Sequence, residues 1–81
     1  MPLSKENICV SVEDKVKKAY LELHRRKVFH GDVRAHNILV SGQCIYIIDF
    51  ESARTGSEEL LESEMYEVER LFQKVRNELN S

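Results

Sequence analysis

Two short apolar runs on either side of a turn constrain this chain most: Ile38-Leu39-Val40, then Ser41-Gly42-Gln43, then Cys44-Ile45-Tyr46-Ile47-Ile48. β-Branched and aromatic residues favour extended backbone, and Gly42 can take the positive φ that a tight turn requires. The runs therefore read as the two strands of a β-hairpin. The second run is apolar at nearly every position and is expected to be largely buried. A hairpin brings its open ends side by side, so Asn37 and Asp49, which flank it, are set to converge on one ion. An amide and a carboxylate are oxygen donors of the kind a hard cation takes. A second acid, Asp32, stands five residues before Asn37 in the stretch Val28-Phe29-His30-Gly31-Asp32-Val33-Arg34-Ala35-His36-Asn37. Val28-Phe29 is extended, and Gly31 permits a tight path where that stretch breaks.

Helices are expected on both sides of this centre. Residues 1–10 read as a lead-in, with Ile8-Cys9-Val10 a strand fragment or an extended segment laid on the core. Ser11 is the expected N-cap of a helix over 12–26, with Glu13 and Asp14 in its first turn beside the free amides. Val12, Val16, Ala19, Tyr20 and Leu23 form its apolar face, and the basic run His24-Arg25-Arg26-Lys27 reads as a solvated helix end. Glu51 to Gly56 is a loop. Ser57 caps a long helix over 58–79, about 33 Å at 1.5 Å per residue. Its residues Leu61, Met65, Val68, Phe72, Val75 and Leu79 alternate in steps of four and three, and Leu60 and Leu71 widen that stripe. Such a face packs on the hairpin and first helix. Its coiled-coil spacing also suits self-association or a partner helix. The fold class is α+β, in a single domain spanning 1–81.

Composition excludes several classes. The chain is 42% hydrophobic and 32% charged with a net charge of −2, so neither wholesale disorder nor nucleic-acid binding is expected. No apolar run approaches the roughly 20 residues that span a bilayer, and the first residues lack a signal-peptide core. Cys9 and Cys44 give no disulfide framework, and a reducing, cytoplasmic setting is the expectation. Cys44 reads as a small apolar filler of a buried strand. His24, His30 and His36 recur every six residues, which suits no single helix face and argues against a zinc site.

His30-Gly31-Asp32-x4-Asn37 followed by Ile48-Asp49-Phe50-Glu51 resembles the catalytic core of the protein kinase-like phosphotransferase superfamily. The first part is similar to the His-x-Asp-x4-Asn catalytic loop and the second to the Asp-Phe-Gly metal-binding segment; the likeness covers residues 12–51. It implies a partial kinase-like C-lobe: helix, catalytic loop, two-stranded hairpin and long C-terminal helix. It further implies that Asp32 is the catalytic base and that Asn37 and Asp49 hold Mg²⁺ on the phosphates of ATP. Arg34 stands where many protein kinases place a lysine on the transferred phosphoryl group, and His30 would brace the loop against the metal-binding segment.

The departures sharpen the expectation. Gly31 stands where regulated protein kinases often carry Arg, and Glu51 replaces the Gly of Asp-Phe-Gly. The second pattern resembles aminoglycoside and choline kinases and fungal protein-kinase-like proteins. No Ala-Pro-Glu segment follows. No Gly-rich loop and no strand lysine paired to a helix glutamate can be placed, so the ATP-covering N-lobe is expected to be missing. Phosphoryl transfer depends on orientation and electrostatic clamping. The isolated chain is thus expected to have little or no kinase activity, with nucleotide as its partner only when an N-lobe completes it. Two alternatives stand beside this: a non-catalytic kinase-like interaction module, and a truncated gene product.

Overall fold

The computed structural model describes residues 1–42 and 44–79, without the side chains of Glu78 and Leu79. Gln43 of the expected turn and the Leu79 side chain of the expected stripe therefore lie outside the described residues. The architecture is α+β, with two helices and two small antiparallel sheets. In chain order these are α1 (Val10–Arg25), β1 (Val28–Phe29), β2 (Ile38–Ser41), β3 (Cys44–Ile47), β4 (Arg54–Thr55) and α2 (Glu58–Leu79). Short 3₁₀ turns at Ala35–Asn37 and Phe50–Ser52 enter and leave the hairpin.

β2 and β3 form that hairpin, with Ile38 opposite Ile47 and Ser41 opposite Cys44. Gly42 takes φ 59° at the turn. The first residues add an edge to it: Leu3 N–H donates to the Ile38 carbonyl, and Val40 N–H to that of Met1. The lead-in is thus laid on the core through Met1–Leu3, with Leu3 buried. Ile8-Cys9-Val10 does not make the strand fragment weighed above, because Val10 already opens α1.

The N-cap of α1 is Cys9, in extended conformation and without a side-chain cap, and Ser11 lies inside the helix. The first helical bond runs from Glu13 N–H to the Cys9 carbonyl, which sets the boundary two residues earlier than expected. At α2 the expected cap holds: Leu60 N–H reaches the Ser57 hydroxyl at 3.4 Å. Among the described residues the side-chain pairs Glu13–Arg76, Lys17–Glu69 and His24–Glu64 join the helices. One residue number falls as the other rises, so the helices run antiparallel. Val12, Val16, Tyr20, Ile38, Val40, Val68 and Phe72 interlock with Leu3 as the core. Leu61, Val68, Phe72 and Val75 are buried within the chain itself, so this stripe packs inward.

β3 is not largely buried. Ile45 and Ile47 point inward and are half-buried, while Cys44 and Tyr46 point outward and are exposed. A two-stranded sheet whose core covers one face leaves alternate side chains on the other face in solvent, however apolar they are. Cys44 is therefore a surface thiol and not a core filler. The segment expected as a plain loop also has structure. β4 pairs with β1, Val28 opposite Thr55 and Phe29 opposite Arg54, and so returns the chain beneath the catalytic-loop motif. Among the described residues no helix is long and apolar enough to cross a membrane.

Candidate active site

The residues after β1 fold back as a loop tied down by hydrogen bonds at His30, Gly31, Asp32 and Asn37. His30 is fully buried. Its Nδ1 accepts Asp32 N–H at 3.2 Å, so Nε2 carries the proton and donates to the Ile48 carbonyl at 2.8 Å. One ring thereby ties the loop to the exit of the hairpin. Phe50 lies edge-on to it, with centroids 4.8 Å apart. The bracing role implied for His30 has a geometric counterpart in these contacts.

Gly31 adopts φ 91°, and a Cβ at this position would come within 2.7 Å of the Ser52 carbonyl oxygen. Both the backbone conformation and the space exclude a side chain. The Arg of regulated protein kinases has no room here.

Asp32, Arg34 and Asn37 come together at the loop. Asn37 is buried, and its Nδ2 donates at 3.0 Å to both the carbonyl and Oδ2 of Asp32. Arg34 Nε pairs with the other carboxylate oxygen, Oδ1, at 2.8 Å. The amide nitrogen of Asn37 is thus spent on the acid. Its oxygen, Oδ1, has no hydrogen-bond donor among the described residues, which leaves it available to a cation.

Asp49 reaches the same region through the backbone. Ile48 N–H donates to the Asn37 carbonyl at 2.9 Å, continuing the hairpin ladder by one step. Asp49 is the next residue, exposed and left-handed at φ 62°, ψ 72°. Asp tolerates that region better than most residues, yet the conformation costs on the order of 1 kcal/mol. Its side chain makes no hydrogen bond or ion pair with Asp32, Arg34 or Asn37 among the described residues. One amide oxygen and one carboxylate fit the chemistry of Mg²⁺, which keeps several water or phosphate oxygens and takes few protein ligands. Among the described residues no three His, Cys, Asp or Glu side chains are grouped to hold a metal.

Sequence reading missed Glu64. It is fully buried in the second turn of α2. Its Oε1 accepts His30 N–H at 3.0 Å and meets His24 Nε2 at 2.8 Å, while Oε2 accepts Gly31 N–H at 2.9 Å. A carboxylate accepts only, so His24 donates here. His24 is accordingly buried, and the expectation of a solvated basic helix end fails for this residue. Both positions carry a signal. Continuing Val12, Val16, Tyr20 by four lands on His24, and Glu64 lies three after Leu61 and four before Val68, inside the apolar stripe.

Tyr20 packs against both imidazoles, with its ring centroid 6.4 Å from that of His24 and 6.1 Å from that of His30. Burial first, then the negative charges of Glu64, Asp32 and Glu67, push its hydroxyl pKa well above the ordinary value. The hydroxyl has no partner among the described residues.

The loop around Asp32, the hairpin and the segment at Asp49 follow one another in the order that the resemblance to a kinase-like phosphotransferase core implies. A family profile for the RIO domain matches residues 3–81, and the chain belongs to that family, an atypical protein kinase family. The likeness to aminoglycoside and choline kinases, drawn from Glu51, finds no support in this match. No curated protein and no solved structure gives a significant match.

Proposed function

We propose that this chain supplies the base-and-metal part of an ATP-dependent phosphotransferase site. The RIO kinase family binds ATP in general, which supports nucleotide as the co-substrate. The observation that carries the reading is the Asn37 amide: its nitrogen fixes both the backbone and the carboxylate of Asp32 and leaves its oxygen free. Base and ligand are thereby one hydrogen-bonded unit, held beside Asp49 by the ladder between Asn37 and Ile48.

In this reading Asp32 orients the acceptor hydroxyl and receives its proton. Arg34 holds the carboxylate in place, and its exposed guanidinium reaches the transferred phosphoryl group. Asn37 and Asp49 would hold Mg²⁺, which when bound neutralises charge developing on the phosphates. No Gly-rich loop or strand lysine occurs in the 81 residues. Efficient turnover therefore needs a phosphate-covering element that these residues do not provide.

Paramagnetic Mn²⁺ added to the ¹⁵N-labelled chain should broaden the Asn37 and Asp49 signals first, and Asp49→Asn should abolish this. Broadening elsewhere with those signals untouched would overturn the metal assignment. Asp32-dependent ATP hydrolysis at ordinary kinase rates by the 81-residue chain would overturn the claim that a covering element is needed.

A second reading, a non-catalytic interaction module, is favoured by Tyr46, Ile48 and Phe50. Tyr46 lies on β3, Ile48 just beyond it and Phe50 in the 3₁₀ turn that follows, and all three are exposed. Self-association or partner binding would use these side chains, since the stripe of α2 is largely occupied by the core. Mg²⁺-dependent nucleotide binding measured by calorimetry separates the two readings.

A further inference from the structure

An open groove of about 960 Å³ lies between the catalytic loop and α2. Gly31, Asp32 and Arg34 line it from the loop, and Glu67, Arg70 and Lys74 from the helix. Its use follows from the charges. Lys17, Lys18, Arg25, Arg26, Arg34 and Arg76 are each paired with an acid. Arg70 and Lys74 are exposed, and their side chains have neither an ion pair nor a hydrogen bond among the described residues. They are four apart on one helix, so they present two cations to the same face. The chain as a whole is net negative, so long-range charge does not explain a local positive stretch.

The groove also has a polarity. Glu64 fixes the helix against His30 and Gly31. Glu67 lies one turn further along and lines the groove together with Asp32, so a further negative charge is disfavoured there. Lys74 lies about 10 Å beyond Glu67 along the axis at 1.5 Å per residue. An extended peptide covers that distance in about three residues at 3.3 Å each. An open trough of this length suits an extended chain better than an enclosed small molecule.

We infer that this groove docks an acidic peptide, placing a hydroxyl residue at Asp32 and carboxylates about three residues away against Arg70 and Lys74. This deepens the phosphotransferase reading by naming its acceptor class, and it rests on that reading only in giving Asp32 the hydroxyl. Docking itself needs neither nucleotide nor metal, so its failure is distinguishable from failure of the catalytic assignment.

The test uses the full chain and a fluorescein-labelled peptide with one serine three residues from a run of four glutamates, read by fluorescence anisotropy without ATP. A peptide with lysines in place of the glutamates is the comparison. Arg70→Glu with Lys74→Glu should weaken binding of the acidic peptide about tenfold or more. Lys18→Glu with Arg25→Glu, the same charge change on α1, should weaken it far less. Circular dichroism should show both variants folded, since all four positions are exposed. Equal binding of the two peptides, or equal loss in the two double variants, would overturn the inference. Full displacement of the probe by low-millimolar inorganic phosphate would overturn the assignment to a peptide.

Discussion

Glu64→Ala should be among the most damaging single changes in this chain. The carboxylate accepts the N–H groups of His30 and Gly31 and meets His24 Nε2, all in a buried setting. Alanine leaves three donors without a partner. Each orphaned buried donor costs about 1–3 kcal/mol, so the total is roughly 3–6 kcal/mol once local relaxation is allowed. An 81-residue chain has only about 4–12 kcal/mol of stability at 0.05–0.15 kcal/mol per residue. Glu64→Gln keeps one oxygen but turns an amide N–H toward a donor, and should cost about 2–3 kcal/mol. Urea unfolding followed by far-ultraviolet circular dichroism gives the stabilities. Hydrogen exchange at the His30 and Gly31 amides gives the local effect, and protection there should fall further than at core amides such as Val68. Glu62→Ala, an exposed change two residues away, serves as the control and should stay within about 0.5 kcal/mol. An alanine variant within 1 kcal/mol of the parent, or a glutamine variant equal to it, would refute the view that this carboxylate holds the loop.

Tyr20 predicts an alkaline limit. Its hydroxyl stays neutral in the fold to higher pH than in the unfolded chain, because burial disfavours the phenolate. Its contribution is therefore fully present below about pH 10 and is lost as pH rises, by about 1.4 kcal/mol at pH 11. Tyr20→Phe should remove that increment of pH dependence and cost little at neutral pH, since the hydroxyl has no partner among the described residues; identical alkaline unfolding of parent and variant would count against it. Gly31→Ala should destabilise by about 2–3 kcal/mol, through positive φ and the collision with the Ser52 carbonyl, measured by thermal or urea unfolding. Lys27 ends α1 in the left-handed region at φ 63°, where glycine is the usual residue. Lys27→Gly should raise stability by about 0.5–1 kcal/mol, and a loss would show that the lysine side chain has a compensating contact.

Local patterning made the hairpin, both helices and the Asp32–Asn37–Asp49 spacing legible. Each rests on residues close in sequence: a turn glycine between β-formers, a serine cap at Ser57, an apolar stripe at helical spacing. What escaped was settled between distant segments. The β1–β4 pair joins Val28 to Thr55 through two-residue strands too short to show a period. Tyr46 and Cys44 are outward because nothing described covers that face, and periodicity alone does not report which face of a sheet is covered. His24 was misread and Glu64 passed over for a related cause. A charged or titratable residue in an apolar stripe looks like an interruption until its partner, forty residues away, is known. The burial of Val68 and Phe72 also changes how α2 should be probed. A glutamate at either position would unfold the chain before it reported on self-association.

The Glu64 contact bears on what can be transplanted. A peptide cut at residues 28–51 would carry His30, Asp32, Arg34, Asn37 and Asp49, yet two amides in the turn of its loop would have lost the acceptor that shapes them. Placing this motif on another scaffold therefore requires a buried carboxylate from a separate element, at the height that Glu64 occupies on α2. A search for such sites by motif alone will return sequences in which the letters are present and the loop has no reason to adopt its shape.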